Sequence, residues 1–340
     1  IYFSIKKNHI LIHMVKKNYI EKNMKLCFKF IKRHSTILLK KFDKSSFWVK
    51  LFIIMTLILL LLNKYNKNNP TVEGFTQMKP FEIKKNDELY DDFYVGYYDE
   101  IVRDGYKTDF EFKEICYTTK PNKKKSKILD IGCGTGNLVK KFVKKGYKIK
   151  GIDKSASMVE KANKKHPECD IVKKDALNSM NHPANSFTHI LCTYFTIYYI
   201  KDKLKFYKNA YSWLKPDGTL TLHLVNRDKF NPIINAADIL SVVSPQKYAK
   251  KRITNSIIKF KNFQYKADFK LQKHKNQAIF EETFKSDKSG NVRQNEHTLY
   301  MEKQKEILSL AKSVGFILQG KIDMKSCAYE YQYLYVLKKP

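Results

Sequence analysis

Apolar positions fall into three regimes along the chain. Residues 47–62 are almost unbroken hydrophobic, with Lys50 the one charge between Ser45 and Asn63. From residue 128 onward, short apolar runs alternate with segments in which apolar residues recur every third or fourth place. The runs at 128–131, 147–152, 171–173, 187–194 and 219–225 read as strands. The segments 138–143, 155–165 and 204–214 have helical spacing, with Ser155 in an N-cap position. Strand–helix alternation of this kind predicts a parallel sheet covered on both faces. Beyond residue 226 the period drops to two, around Phe263 and Tyr265 and again at 278–282. An antiparallel lid is expected there, with Ser289-Gly290-Asn291 as its turn. A helix at 302–313 capped by Gly315 follows. Runs at 316–323 and 329–337 then form a closing antiparallel pair. Residues 88–117, rich in Tyr, Phe, Asp and Glu, are expected to be helical.

The run at 47–62 is just long enough to span a bilayer core of about 30 Å. It lacks the polar stripe of a buried amphipathic helix. Lys50 lies near one end, where it can snorkel. Trp48 and Tyr65 sit where interfacial aromatics would. The run begins far from residue 1 and shows no small-residue cleavage pattern, which argues against a signal peptide. The expectation is a single-pass membrane helix at 47–62. A basic segment, 1–46, precedes it, and a polar linker, 63–80, follows with Pro70, Gly74 and Pro80. A domain from 81 to 340 completes the chain, its insertion at about 226–300. Because residue 1 is Ile, translation is expected to start at Met14 or Met24 unless the chain is a fragment.

Charge adds little that is specific. The chain carries 65 Lys and Arg against 33 Asp and Glu, a net +32. The excess is densest before residue 80 but extends through the whole sequence. A basic balance favours anionic partners such as RNA or phospholipid headgroups. A lysine-rich composition everywhere dilutes that signal, so nucleic acid stays a possible partner without being favoured. The cysteines are Cys27, Cys116, Cys133, Cys169, Cys192 and Cys327, with no C-x-x-C pair. No zinc or disulfide framework is visible, no metal is expected, and a reducing compartment fits.

The chemistry concentrates at Asp130-Ile131-Gly132-Cys133-Gly134-Thr135-Gly136-Asn137. A buried strand, a glycine turn and a helix bring backbone N–H groups close to a ligand. The dinucleotide fingerprint needs a glycine at 137, where this chain has Asn137, so a dinucleotide fits less well. Asp153 ends the second strand, where a carboxylate can accept both ribose hydroxyls of a nucleoside.

This stretch resembles motif I of the class I S-adenosylmethionine (SAM) dependent methyltransferases. The resemblance continues through Gly151-Ile152-Asp153, Asp175-Ala176 and Leu214-Lys215-Pro216-Asp217-Gly218, and covers roughly residues 80–340. It implies a Rossmann-like, doubly wound α/β fold with a mostly parallel seven-stranded sheet, an antiparallel closing strand and an inserted antiparallel lid. It also implies SAM as cofactor. Asp130, Gly132, Gly134 and Gly136 would hold its methionine end, and Asp153 its ribose. Met158 would pack on adenine and Asp175 accept from its amino group. Cys133, Lys154, Ala176 and Thr193 complete the implied set. Tyr94-x-x-x-Tyr98-Asp99 resembles the helix that precedes motif I, where an aromatic such as Tyr98 covers the cofactor.

The family's members that methylate adenine or amide nitrogens carry Asn/Asp-Pro-Pro-Tyr/Phe after the fourth strand. This chain has Cys192-Thr193-Tyr194-Phe195-Thr196-Ile197-Tyr198-Tyr199, which argues against those substrates. Its aromatics would line an apolar pocket or hold a cationic amine by their ring faces. An amine or thiolate acceptor needs no base, whereas a hydroxyl or carbon acceptor does. Candidates beside the crevice are His223 and Arg227 after the fifth strand, and Glu282, Arg293, His297 and Tyr300 in the lid. On a helix, Arg293, Glu296, His297 and Tyr300 would share one face.

The leading expectation is a membrane-tethered methyltransferase acting on a small molecule or lipid. An RNA or protein methyltransferase and a non-catalytic SAM-binding scaffold are the alternatives. The basic residues that flank 47–62 favour a cytoplasmic N-terminus. That would carry the domain away from the cytosolic cofactor, so the orientation stays open, as does the oligomeric state.

Overall fold

A computed structural model describes residues 43–68, 80–102, 105–232, 249 and 251–340. The chain divides into two compact units, residues 1–71 and 72–340.

In the first unit, α1 (Phe47–Asn68) is a helix of 22 residues. The Lys50 ammonium folds back onto the Asp43 carbonyl at 2.9 Å. The expected membrane span at 47–62 is not supported. Among the described residues no helix is long and apolar enough to cross a membrane. Lys50 interrupts the apolar run near its start, and the side chains at 57 and 61–68 lie outside the described set. Most of the basic segment 1–46 and residues 69–79 of the linker also lie outside it.

The second unit carries a sheet in the order β11-β12-β6-β5-β2-β3-β4. Its strands are β2 (Lys127–Ile131), β3 (Lys148–Asp153), β4 (Asp170–Lys173), β5 (Phe187–Cys192), β6 (Leu214–Val225), β11 (Ile317–Asp323) and β12 (Gln332–Lys338). β2 through β6 pair in parallel. β12 runs antiparallel between β6 and β11. The Rossmann-like expectation and its closing pair therefore hold.

Alternation along β2 explains the two-sided covering. Leu129 and Ile131 share a core with Phe206 and Trp213 of α7 (Lys203–Trp213) and with Ile307 and Ala311 of α8 (Gln304–Val314). Ile128 faces the other way. It meets Ile115 of α3 (Gly105–Thr119), Phe142 of α4 (Asn137–Lys144) and Val159 of α5 (Ala156–Lys165). Ser155 caps α5 as expected, its hydroxyl accepting from the Met158 N–H at 3.2 Å.

A second sheet has the order β1-β10-β9-β8-β7. It consists of β1 (Phe81–Lys85), β7 (Asn255–Lys259), β8 (Phe263–Gln272), β9 (Gln277–Ser286) and β10 (Val292–Tyr300). The lid is thus an antiparallel sheet, as expected, although residues 233–248 and 250 lie outside the described set. The surprise is β1, which pairs in parallel with β10. Its register partners lie more than two hundred positions away, so no local pattern marks it.

Two helices follow the 3-10 turn Asn86–Leu89: α2 (Asp92–Val102) and then α3. One face of α2, with Tyr94, Tyr97 and Ile101, packs on Phe263, Tyr265 and Phe284 of the second sheet. Asp99 ties the same helix to the first sheet's glycine turn. It accepts from the Thr135 hydroxyl and from the Lys165 ammonium, both at 2.6 Å. A helix held this way at both sides sets the spacing between the two sheets.

Candidate active site

After Ile131 the chain turns through Gly132, Gly134 and Gly136, with φ of +69°, +54° and +77°. Glycine adopts these left-handed angles without the strain a side chain would bring. The three glycines nevertheless do different work. A Cβ on Gly132 would stand 2.3 Å from the Thr196 methyl, and one on Gly136 would stand 2.5 Å from Ile171 Cδ1. Those two are closely packed. A Cβ on Gly134 would meet nothing nearer than Tyr98 Cε1 at 3.9 Å, because Gly134 faces a cavity.

That cavity holds about 1160 Å³ and reaches from the glycine turn to the second sheet. Of the residues expected to bind cofactor, Tyr98, Gly132, Gly134, Asp153, Lys154, Met158, Asp175 and Ala176 line it. Asp153 stands at the end of β3. Its Oδ2 accepts from the Gly134 N–H and its Oδ1 from the Ser155 N–H, both at 2.9 Å. Burial raises the Asp153 carboxyl despite these N–H donors.

Asp130, Cys133, Gly136 and Thr193 do not line the cavity. Asp130 is buried behind the turn, and its Oδ1 has no hydrogen-bond partner. Burial, with Glu111 and Asp153 nearby, raises its carboxyl well above the ordinary value. Cys133 turns its sulfur toward Gly151, where an added Cβ would come within 2.9 Å.

The far end of the cavity is walled by rings, including Tyr90, Tyr94, Phe195, Tyr199, Phe269 and Phe280. Among them a polar chain runs in from the second sheet. Glu282 on β9 accepts from the Tyr265 hydroxyl at 2.6 Å and from His297 Nε2 at 2.7 Å. His297 Nδ1 lies 2.9 Å from the Tyr199 hydroxyl. The Tyr199 and Tyr90 hydroxyls are hydrogen-bonded to each other in turn. Burial alone would raise the Glu282 carboxyl. The His297 ring and the hydrogen bonds from His297, Tyr265 and Tyr94 outweigh it and hold the group below its ordinary value. Burial pushes the Tyr90 and Tyr199 phenols up.

The candidate bases separate accordingly. His297 and Tyr300 line the cavity, whereas His223, Arg227 and Arg293 do not. Residues 293–300 form a strand, so the shared helical face is corrected to an alternation. Arg293, Asn295, His297 and Leu299 are buried on one side, and Glu296 and Tyr300 lie on the other. Arg293 is structural: it donates to Asp91 Oδ2 at 2.7 Å, the Leu89 carbonyl at 3.1 Å and Asn295 Oδ1 at 2.8 Å. Arg227 donates to Asn276 Oδ1 at 2.6 Å and the Met301 carbonyl at 2.5 Å, pinning β6 to the second sheet. His223 is wholly buried beside the Tyr194 and Phe195 rings. Tyr90 and Tyr199 carry no motif of their own. The four-residue spacing of Tyr90, Tyr94 and Tyr98 was the signal available for the first, and the aromatic run at 194–199 for the second.

Comparison with known proteins decides the family. A methyltransferase-domain family matches residues 128–218. The ubiquinone/menaquinone biosynthesis C-methyltransferase UbiE of Campylobacter jejuni is 30% identical over 168 residues, covering 44% of this chain and 69% of that protein. The chain belongs to the class I SAM-dependent methyltransferases. This methyltransferase is also 28% identical over 203 residues to malonyl-[acyl-carrier protein] O-methyltransferase 1 of Ilyobacter polytropus, covering 55% of the chain and 72% of that protein. Among solved structures, an S-adenosylmethionine-dependent methyltransferase from Clostridium acetobutylicum superposes with a TM-score of 0.54 at 19% identity. It covers 72% of this chain and 97% of the other, and shares its fold. SAM is the cofactor of this family, and the site fits it. A glycine turn presents open backbone at Gly134, and a buried carboxylate at Asp153 borders the same space.

Proposed function

We propose that this methyltransferase transfers a methyl group to a small, largely apolar molecule held among the rings at the second-sheet end of the cavity. The observation that carries the reading is continuity. One cavity touches both the glycine turn and the ring-walled pocket around Tyr199 and His297. When bound, SAM supplies a methyl group made electrophilic by its sulfonium centre. Asp153 would grip the ribose hydroxyls, with Met158 and Ala176 flanking the adenine and Asp175 accepting from its amino group. Gly134 would meet the methionine end, and Tyr98 would cover it. The remaining work is positioning and exclusion of water, which the packed rings supply. One relative supports a small acceptor by name, for C-methylation in ubiquinone/menaquinone biosynthesis, whereas the other is named for O-methylation of malonyl-[acyl-carrier protein], whose acceptor is carried on a protein. Incubation of the protein with methyl-labelled SAM and fractionated metabolite, lipid and RNA extracts tests this. Label is expected in a small-molecule or lipid fraction. Label confined to RNA or protein, or absent from every fraction, would overturn it.

A tether at the N-terminal helix belongs to the same proposal. Phe47, Trp48 and Phe52 of α1 are each at least 70% exposed, which suits a lipid surface. A tether raises the effective concentration of a membrane-borne acceptor. The full chain is then expected to sediment with lipid vesicles. Its recovery in the supernatant would rule the tether out.

A further inference from the structure

His297 borders the cavity, but both its ring nitrogens are already engaged, Nε2 with Glu282 and Nδ1 with the Tyr199 hydroxyl. The His297 and Glu282 side chains are 1% and 0% accessible, while Tyr199 keeps 38% of its surface open and lines the cavity. A proton from the cavity therefore reaches His297 Nδ1 through the Tyr199 hydroxyl. The direction of the hydrogen bonds follows from the donor inventory. An ionised Glu282 only accepts, so His297 Nε2 carries the hydrogen. This proton relay requires the neutral imidazole, in which Nδ1 is a bare lone pair and the Tyr199 hydroxyl donates to it. A base is thus aimed at the cavity with a tyrosine as its outermost atom.

We infer that the acceptor is an acidic hydroxyl, a phenol or enol on an apolar ring-bearing molecule, and that Tyr199 relays its proton to His297. The inference rests on the reading of the cavity as the methyl-transfer site. As the acceptor O–H bond breaks, its proton passes to the Tyr199 oxygen, while the Tyr199 proton passes to His297 Nδ1. The electron pair left on the acceptor oxygen forms the bond to the methyl carbon. The methyl–sulfur bond breaks with its pair retained by sulfur. The imidazolium that results is paired with Glu282. Tyr199 is the catalytic group here; His297 and Glu282 are positioning residues that act through it.

A cationic amine fits the same pocket less well. Such a ligand needs an uncommitted anion, and both oxygens of Glu282 already accept from Tyr265 and His297. Protonating His297 would also set a positive charge beside the ligand. An aliphatic alcohol is too weak an acid to yield its proton to an imidazole through the relay, whereas a phenol, with an ordinary pKa of about 10, lies much closer.

Three measurements test this on the full chain. Nitrogen NMR of histidine-labelled protein without cofactor, at pH 7.5, should show His297 neutral with hydrogen on Nε2. An Nδ1–H tautomer or a doubly protonated ring would overturn the relay whatever the activity. Mass spectrometry of the labelled product from the extract experiment should place the methyl on a phenolic or enolic oxygen. A methyl on nitrogen or sulfur would sink this inference while leaving the proposed function standing; no product at all would instead sink the proposed function. Tyr199→Phe should lower kcat on that product's precursor about a hundred- to ten-thousandfold, with KM and SAM affinity by calorimetry little changed. An unchanged kcat, or a loss seen only in KM, would leave Tyr199 a wall residue and overturn its role.

Discussion

Asp153→Ala is expected to weaken SAM binding by roughly a hundred- to ten-thousandfold. A carboxylate that grips two ribose hydroxyls makes two charge-assisted hydrogen bonds, each worth about 1.5–3 kcal/mol. Every 1.4 kcal/mol is about tenfold in affinity. The loss should appear in cofactor binding more than in turnover of the bound complex, because the contact is the same before and during methyl transfer. A carboxylate just before a helix has a rival role, as the cap of that helix. The structure removes that role, since the Ser155 hydroxyl itself caps α5 through the Met158 N–H. It adds another cost instead. The carboxylate also accepts from the Gly134 and Ser155 N–H groups, each such bond being worth about 1 kcal/mol. The variant should therefore melt at a lower temperature as well. Calorimetry and a melting curve on the same sample separate the effects. A depressed melting temperature with wild-type SAM affinity would mean that Asp153 serves only the turn.

The second large effect concerns acid. His223 has its pKa lowered to about 3, first by burial and then by the nearby Lys107 charge; the Gln332 side chain and the Tyr194 backbone oppose the shift only partly. Its unfolded value is about 6.5. The unfolded chain thus takes up the proton first, so the neutral ring's contribution is complete above pH 6.5 and is lost as pH falls toward 3. The slope is about 1.4 kcal/mol per pH unit, and the whole span amounts to roughly 4–5 kcal/mol. His166, His182 and His189 are pushed down in the same direction, again first by burial, so several protons share the acid limb. Urea denaturation between pH 7 and 4.5 on wild type and His223→Gln isolates one of them. The variant's stability should fall less steeply, by about one proton's slope. Parallel curves would show that His223 is protonated without penalty.

Glu282 illustrates how far local reading reaches. Its type and its place in an alternating segment marked it as a candidate, yet nothing nearby in the chain identifies its partners. Tyr265 lies on β8, His297 on β10 and Tyr199 in α6 (Thr196–Tyr199) of the other sheet's crossover. Arg293 and His297 looked equivalent for the same reason. A two-residue alternation puts both on the buried face of β10, but one ends under the Asp91 turn and the other at the cavity.

By itself the sequence determined what depends on neighbours in the chain. Apolar period and glycine spacing fixed the parallel core, the turn at 132–136, the Ser155 cap and the Gly315 stop, because strands, caps and left-handed turns are set within a few residues. Asp153 was marked as the candidate ribose ligand, since it ends a strand beside the glycine turn. The tertiary structure decided what depends on strand partners and burial. It paired β1 with β10, gave Gly136 to packing and set Gly132 and Gly134 at the cavity, and turned His223, Arg227 and Arg293 into buried supports. It also drew Tyr90, Tyr199, His297 and Glu282 into one chain. Those outcomes rest on contacts between residues tens to hundreds of positions apart, which no period in the sequence encodes.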